Sequence, residues 1–493
     1  MKVCVLQPDY SLSGVDYRHY DPARDLSGLL PGHEVHHVAL NKLTTYRQLR
    51  DLALGGYDIF VNLCEGYLEW DVPSIDVIHS LDALNLPYTG PSVLLYDPPK
   101  PLMKYVAHTV GIATPLHATV DAARIRTAQE AEGAERADEL LARAVRHLRF
   151  PLFVKPAKAG DSLGVDEHAR VDDLLALREQ VLMLSPEYRD LLVEEYIDGR
   201  EYTVLVVGDG SGAGHGAALA PIEYVFPAGH AYKSYALKTR ELHPEANIPV
   251  QDAALAAALR QAAERIFRGF AGIGYARMDF RVDAAGTLHF LEVNFSCSVF
   301  YPKGSEGSAD HILTLDGIGQ AGFLERIIAE GIGRHRRRQK AYEIRGDSIA
   351  GYGIHAMRPL QQGEVIFRGE ERAHRIVTRR HVEATWSSMD RTLFAQYAYP
   401  LSDEVFALWD SDPMAWAPQN HSCDANTTFD GLNVVARRPI EAGEELTVDY
   451  AELLGEDGES FTCRCGASNC RGTVRGIPGN SVTARERQAA LPR

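Results

Sequence analysis

The hydrophobic and polar positions change rhythm along the chain. In the first third, short apolar runs rich in β-formers alternate with longer amphipathic stretches. Lys2–Gln7 and Tyr57–Leu63 read as buried strands, and Pro73–Leu84 reads as a helix between strands. Strands separated by helices predict a parallel sheet. Residues 120–149, rich in Ala, Glu and Arg, predict helix. Phe150–Lys155 predicts a strand followed by the small-residue loop AKAGDSLGV, then a helix over Val171–Leu184 and a strand over Leu191–Tyr196. Residues 201–225 predict a strand meander, with GSGAGHG as a hairpin loop rather than a dinucleotide fingerprint, because no helix opens after it. A helix over Asp252–Gly269 leads into two strands, Ala276–Val282 and Leu288–Val293, joined at Ala285-Gly286 as an antiparallel hairpin. Residues 331–340, GIGRHRRRQK, are basic and lack apolar periodicity, which predicts a linker. Beyond them the pattern becomes strand and turn, and the stretch after Gly479 predicts a poorly ordered tail.

Composition sets the scale. The 493 residues suggest about three or four structural units. Apolar residues make up 45% and charged residues 24%, the proportions of an ordinary globular protein. The net charge of −16 argues against binding nucleic acid by phosphate neutralisation. Arg334–Arg338 is therefore read as a solvated run that pairs with acidic surface. No window approaches eighteen continuous apolar residues, which predicts no membrane span. MKVCVLQPDY lacks a signal-peptide core, so a cytoplasmic location is expected. Of seven cysteines, Cys4, Cys64 and Cys297 are scattered, while Cys423, Cys463, Cys465 and Cys470 cluster near the end. An odd total without an export signal favours free thiols or a metal over disulfides.

One strand pair carries an unusual polar set, Arg277-Met278-Asp279 and Glu292-Val293-Asn294. Alternation puts Arg277 and Asp279 on one face and Glu292 and Asn294 on one face. A hairpin would bring two carboxylates, an amide oxygen and a guanidinium together. Such oxygen ligands suit Mg²⁺ with substrate phosphates, and the arginine would offset charge on a transferring phosphoryl group. Taken alone, the same pattern equally fits a solvated polar strand face.

The surrounding text is more specific. FVKPAKAGDSLGV, LVEEYIDGREYTV and ARMDFRVDAAGTLHFLEVNFS, in this order, resemble the ATP-grasp superfamily, and within it the D-alanine–D-alanine ligases. FVNLCEG, LNLPYTGPS and DPPKPLMKYVAHTVGIATP extend the resemblance over roughly residues 1–330. It implies an N-terminal α/β domain (1–95), an ATP-grasp central domain (96–205) and a C-terminal catalytic domain (206–330), then the basic linker (331–341). By resemblance, Lys100 and Lys155 would hold ATP phosphates, and Ser162 would lie in the mobile phosphate loop. Glu194, Glu195, Tyr196 and Ile197 would face adenine, and Glu201 the ribose. Lys238 would reach the γ-phosphate. Asp279, Glu292 and Asn294 would bind two Mg²⁺ ions, with Arg277 at the phosphoryl group. The implied chemistry is attack of a carboxylate on ATP, then displacement of phosphate from the acyl phosphate by an amine. Three motifs depart from the ligases. PDYSLSGVDYRHY replaces the opening Gly-Gly motif, Glu65-Gly66 replaces His-Gly, and Phe295–Ser298 replaces Thr-Ser-Pro-Gly.

A second constellation lies near the end. Cys463-Arg464-Cys465 with Cys470, and Cys423 upstream in NHSC, suits a closed Cys4 structural zinc site. SIAGYGIHAMRPLQQGEVI, NHSCDAN, RPIEAGEELTVDY and CRCGASNCRG resemble, in order, a SET domain with its post-SET zinc motif. The implied layout is a SET domain (342–455), a post-SET segment (456–477) and a tail (478–493). The implied fold is mostly β with a pseudoknot, and the implied activity is S-adenosylmethionine-dependent lysine N-methylation. Gly351, Tyr352 and Gly353 would approach the cofactor by backbone, Asn420 and His421 would hold its methionine and adenine parts, and Tyr450 would be the catalytic tyrosine. Desolvation in a narrow apolar channel would lower the pKa of the accepting amine. Val448 stands where the family often has Phe or Tyr, which implies a roomier pocket admitting di- or trimethylation or a non-protein amine.

The combined expectation is a multidomain, bifunctional enzyme. An ATP-dependent carboxylate–amine ligase acting on small amino acids or peptides is fused to an amine or lysine methyltransferase, in natural-product or small-peptide tailoring. The alternative is a protein lysine methyltransferase whose ATP-grasp half recognises or modifies a protein. The methyl acceptor is thus either a small amine or a lysine-bearing peptide or protein. Neither nucleic acid nor membrane is expected as a partner. Relatives of the ligases are often dimers, so a homodimer is an option by analogy.

Overall fold

The computed structural model describes residues 1–11, 21–66, 71–160, 162–210, 214–227, 229–233, 246–347, 351–369, 374–402, 404–409, 419–454 and 460–476. The chain forms two compact units, Met1–Arg337 and Arg338–Arg493. Among the described residues no helix is long and apolar enough to cross a membrane.

Among the described residues the first unit contains three sheets. Lys2–Pro8 lies between Glu34–Leu40 and Ile59–Asn62, all parallel, as the strand–helix rhythm predicts. The central strands are apolar and buried because helices cover the sheet. The second sheet is four-stranded, ordered His117–Asp121, Asp190–Glu195, Leu152–Pro156, Arg170–Val171. Its helices, Ala122–Glu132 and Ala134–Ala144, replace the single helical stretch read over 120–149. Gly133, at φ +91°, separates them, and Asp121 caps the first by accepting from the Arg124 amide. Leu174–Leu184 completes the core.

The third sheet places the hairpin. Its path runs Asn247–Pro249, Ile222–Tyr224, Gly199–Gly208, Tyr275–Asp283, Leu288–Asn294, with Gly216–Ala218 also paired to Gly199–Gly208. Gly199–Gly208 pairs with Tyr275–Asp283 along its length. Ala253–Gly269 covers it. Leu259, Ala262, Ala263, Ile266 and Phe267 recur at helical spacing on the buried face, and Asp252 caps the helix through the Ala254 and Leu255 amides.

The expected basic linker is mostly helix. Gly319–Arg338 is continuous, with Phe323, Leu324, Ile327 and Ile328 buried. Gly331 and Arg334 break the apolar pattern, yet both are core positions. A Cβ on Gly331 would stand 2.5 Å from the Tyr88 carbonyl oxygen, and Arg334 donates to the Tyr88 and Gly90 carbonyls at 2.6 and 2.8 Å. The remaining arginines occupy the helix C-terminus, where cations complement the helix dipole.

The second unit is strand-rich. It has five small sheets and two helices, Arg379–Thr385 and Ser388–Tyr397, among the described residues. Asn420–His421 pairs in parallel with Thr447–Val448, which joins the NHSC and ELTVDY motifs. Residues 478–493, read as a tail, lie outside the described residues.

Candidate active sites

In the first unit, a solvent-open cleft of about 760 Å³ gathers Lys100, Lys155, Ser162, Glu194–Ile197, Glu201, Asp279 and Glu292. Lys155 sits near the end of Leu152–Pro156, beside the strand that ends at Glu194–Glu195. Its ammonium is 2.5 Å from Glu194 Oε1. Lys104, one helical turn beyond Lys100, is 2.9 Å from Glu194 Oε2 and donates to the Leu291 carbonyl at 2.8 Å. Burial alone would raise the Glu194 pKa, but the two lysines hold it down at about 2. Burial lowers Lys104 to about 8 despite Glu194, and lowers Lys100 too, whereas Glu194 and Glu292 keep Lys155 above the ordinary lysine range against its burial. Lys100 reaches the Ala159 carbonyl and stands 3.8 Å from Glu292.

The other end of the cleft is aromatic. Phe153 and Tyr196 stack at 6.2 Å, and Tyr232 meets Phe153 edge-on at 5.0 Å. Glu201 is buried between Arg281 at 3.1 Å and Lys233 at 3.4 Å, and against its burial these cations lower its pKa. Arg281 also donates to the Ile197 and Ala231 carbonyls. Glu195 lines the cleft while its carboxylate accepts from the Arg149 amide. Ser162, at φ +57°, donates to the Lys233 carbonyl. Lys238 lies outside the described residues.

The hairpin register pairs Arg277 with Asn294 and Asp279 with Glu292. The Thr203 hydroxyl donates to Asp279 Oδ1 at 2.8 Å, and Arg277 Nε is 3.9 Å from the same oxygen. Asn294 Nδ2 is buried with no hydrogen-bond partner among the described residues. Asp279 and Glu292 open on the first cleft. Arg277 and Asn294 line a second cavity of about 690 Å³, and Leu163 of the glycine loop borders both. Two carboxylates and an adjacent amide fit a hard divalent cation, so these are the residues that would hold Mg²⁺.

In the second unit, Tyr352 and Gly353 approach Asn420, and Gly351 precedes them at φ +89°. Asn420 donates to the Tyr352 carbonyl at 3.0 Å and to Glu445 at 2.7 Å. A Cβ on Gly353 would stand 2.5 Å from Glu445 Oε1, so a larger residue there would displace the Glu445 carboxylate. Tyr450 donates through its hydroxyl to the Gln419 carbonyl at 2.7 Å, and its amide donates to His421 Nδ1 at 3.1 Å.

The metal-type donors include His421 beside the expected cysteines. His421, Cys423, Cys463 and Cys465 have ligand atoms within 4.8 Å of one another. His421 Nε2 is 3.4 Å from Cys423 Sγ, across the turn that begins where the short strand Asn420–His421 ends. The His421 ring is therefore engaged between the Tyr450 amide and the Cys423 thiol. Cys470 bonds to Cys463 and Cys465 in the same cluster. These soft donors fit Zn²⁺, held by three cysteines with Cys470 or His421 as the fourth ligand.

Comparison with known proteins matches these two regions. The family model for the D-ala D-ala ligase C-terminus covers residues 108–298, and the SET domain model covers 351–451. A D-alanine–D-alanine ligase of Bordetella petrii is 31% identical over 297 residues, spanning 57% of this chain and 82% of that protein. The chain belongs to the D-alanine–D-alanine ligase family. D-alanine–D-alanine ligase B of Pseudomonas syringae is 32% identical over 217 residues, 43% of this chain and 60% of the relative. The crystal structure of the Bacillus anthracis ligase complexed with ATP aligns with 69% of this chain and 99% of its own, at 18% identity and TM-score 0.47. The protein is thus an ATP-dependent ligase of this family fused to a SET methyltransferase domain.

The ligase cleft brings together every described site residue expected on its nucleotide side. Lys104, Lys233 and Arg281 were missed, although Arg281 continues the alternation of Arg277 and Asp279. The glycine loop is tightly specified at Gly164, whose φ is +70° and where a Cβ would stand 2.7 Å from the Pro156 ring. Gly164→Ala is expected to strain the loop by about 1–3 kcal/mol. The KM for ATP should rise about tenfold, and Tm should fall by several degrees. An unchanged KM would show that this loop does not act on ATP.

Proposed function

We propose that the ligase half joins a small carboxylate to an amine through an acyl phosphate, and that the SET half methylates an amine on the same or a related small molecule. The observation that carries the first part is the division of the hairpin. Its carboxylates face the lysine-lined cleft, while Arg277 and Asn294 face a separate cavity. In this reading Lys100 and Lys155 hold phosphates, Phe153 and Tyr196 take the base, and Glu201 takes the ribose hydroxyls. Asp279, Glu292 and Asn294 hold Mg²⁺, which supplies charge neutralisation at the phosphates when bound. Arg277 offsets charge at the transferred phosphoryl group. In the SET half, Gly351, Tyr352, Gly353 and Asn420 hold S-adenosylmethionine, and Tyr450 aligns the accepting amine.

The departures at Glu65-Gly66 and at Ser296–Ser298 border the second cavity, which supports a substrate other than two D-alanines. The test is incubation with ATP, Mg²⁺ and S-adenosylmethionine against an amino-acid panel, read by phosphate release and mass spectrometry. Phosphate release that requires both a carboxylate and an amine supports the reading. Methylation of intact proteins, with no small-molecule turnover, overturns it.

A further inference from the structure

The second cavity contains a carboxylate that the ligase chemistry described above does not use. Glu65 lines it together with Arg277 and Asn294. Behind Glu65 lies Arg24, whose side chain is 1% exposed and whose Nη1 is 3.0 Å from Glu65 Oε1. The same guanidinium serves Asp21 at 3.0 Å and donates to the Val299 and Leu63 carbonyls. One buried cation therefore faces two carboxylates.

The two acids are not equivalent. Asp21 accepts from Tyr301 at 3.0 Å and from Tyr10, in addition to Arg24. Glu65 has Arg24 and Ser298 and otherwise borders the cavity. Arg277, the cavity's other described cation, lies beside Asp279. The charge missing from this cavity is positive, and an ammonium group supplies it. Burial pushes Glu65 up to about 7, with Asp21 adding and Arg24 opposing, so it can exchange a proton near neutrality.

Building on the ligase reading above, we propose that Glu65 binds the attacking amine as its ammonium form and takes the proton that frees the nitrogen lone pair. Arg24 positions that carboxylate. The freed nitrogen forms a C–N bond at the acyl phosphate carbonyl carbon. The C–O bond to phosphate then breaks, and its electron pair leaves with the phosphate. The second nitrogen proton leaves on the phosphate as hydrogen phosphate, and the first passes from Glu65 to water. The carboxyl–phosphate anhydride thus becomes an amide and inorganic phosphate, with charge conserved. Glu65 replaces a histidine expected from the family pattern, so the amine-handling side of the site has been rebuilt in this chain.

Hydroxylamine separates this step from the rest, because it is largely uncharged near pH 7 and needs no base. The full chain, with ATP, Mg²⁺ and a panel of D-alanine and the common L-amino acids, is assayed for hydroxamate with hydroxylamine and for amide with the panel amines. Glu65→Gln is expected to keep hydroxamate formation within about threefold of wild type and to lose amide formation by about 100-fold or more. Glu65→Asp, which keeps the charge at a shorter reach, should recover part of the amide rate. Equal loss of both products in Glu65→Gln, with an unchanged melting curve, would overturn the proposal by placing Glu65 in carboxylate activation. Equal retention of both would also overturn it. Absence of hydroxamate from the wild-type protein would instead overturn the ligase reading on which it rests.

Discussion

Replacing Glu194 with glutamine is expected to destabilise the ligase unit by about 3–5 kcal/mol, the usual cost of breaking a buried ion pair from one side. Glu194 is fully enclosed between Lys104 and Lys155, at 2.9 and 2.5 Å. Glutamine has nearly the same shape but leaves two buried ammonium groups facing a neutral amide. The loss depends on pH in a defined way. Glu194 has a folded pKa of about 2, below its ordinary 4.5, so its contribution is present above about pH 4.5 and fades as pH falls towards 2. Wild type and variant should therefore converge in acid. They should also draw closer in base through Lys104, while Lys155, which Glu194 holds above the ordinary lysine range, keeps part of the gap. Lys104 already titrates near 8, below its ordinary 10.5, and without Glu194 it falls further. The penalty for its charge is full below that folded pKa and is relieved as pH rises. Chemical denaturation of both proteins across pH 3–9 should show the largest gap near neutrality. A gap independent of pH would mean that packing, not charge, explains the loss. Lys104→Met in the Glu194→Gln background should recover part of the stability, because it removes the cation left unpaired.

The same triad shows what was legible in the sequence. Lys155 and Glu194 lie at the ends of predicted neighbouring strands, so period-two alternation brings them near the cleft. The Arg277/Asn294 and Asp279/Glu292 pairs follow from the turn at Ala285-Gly286, because an antiparallel hairpin has a register set by its turn. Lys104 carries no such signal. Its partner Glu194 is ninety residues away, and the backbone carbonyls it meets belong to yet another strand. Arg24 and Glu65 are similar, since Arg24 follows a segment without clear periodicity and acquires its role only through long-range burial. The helix at Gly319–Arg338 was hidden for the opposite reason. Gly331 and Arg334 look like a polar interruption, although the first fits a close backbone approach and the second donates to carbonyls of residues 88 and 90 and pairs with Glu330 at 3.7 Å. Alternation reveals which face a residue takes, but not which distant group satisfies it.

Removing the metal from the SET unit is expected to lower methyl transfer by about 100-fold or more and to leave ATP-dependent turnover by the ligase unit unchanged. The core around the cysteines is small: Ala451, Cys463 and Val474 are its buried members, with Tyr450 and Phe461 packed against them. The sheet beneath, Phe461–Thr462 with Thr473–Val474, has two residues per strand, too little to persist alone. Clustered thiolates repel one another without a cation, so metal affinity and local folding are the same free energy. The consequence reaches Tyr450 by two routes. His421 accepts from the Tyr450 amide while facing Cys423, and Arg471 donates to Cys423 Sγ while pairing with Asp449, whose carboxylate accepts from the Ala451 amide. A chelator or Cys423→Ser should therefore remove bound zinc, loosen the Tyr450 hydroxyl from the Gln419 carbonyl and abolish methylation together. Substitution with Co²⁺ distinguishes the fourth ligand. If His421 ligates, the thiolate-to-cobalt charge-transfer band should report three sulfurs and survive Cys470→Ser. If Cys470 ligates, the band should report four and fall in that variant. Methylation that continues at full rate in protein shown by elemental analysis to be free of metal would break the link between this cluster and Tyr450.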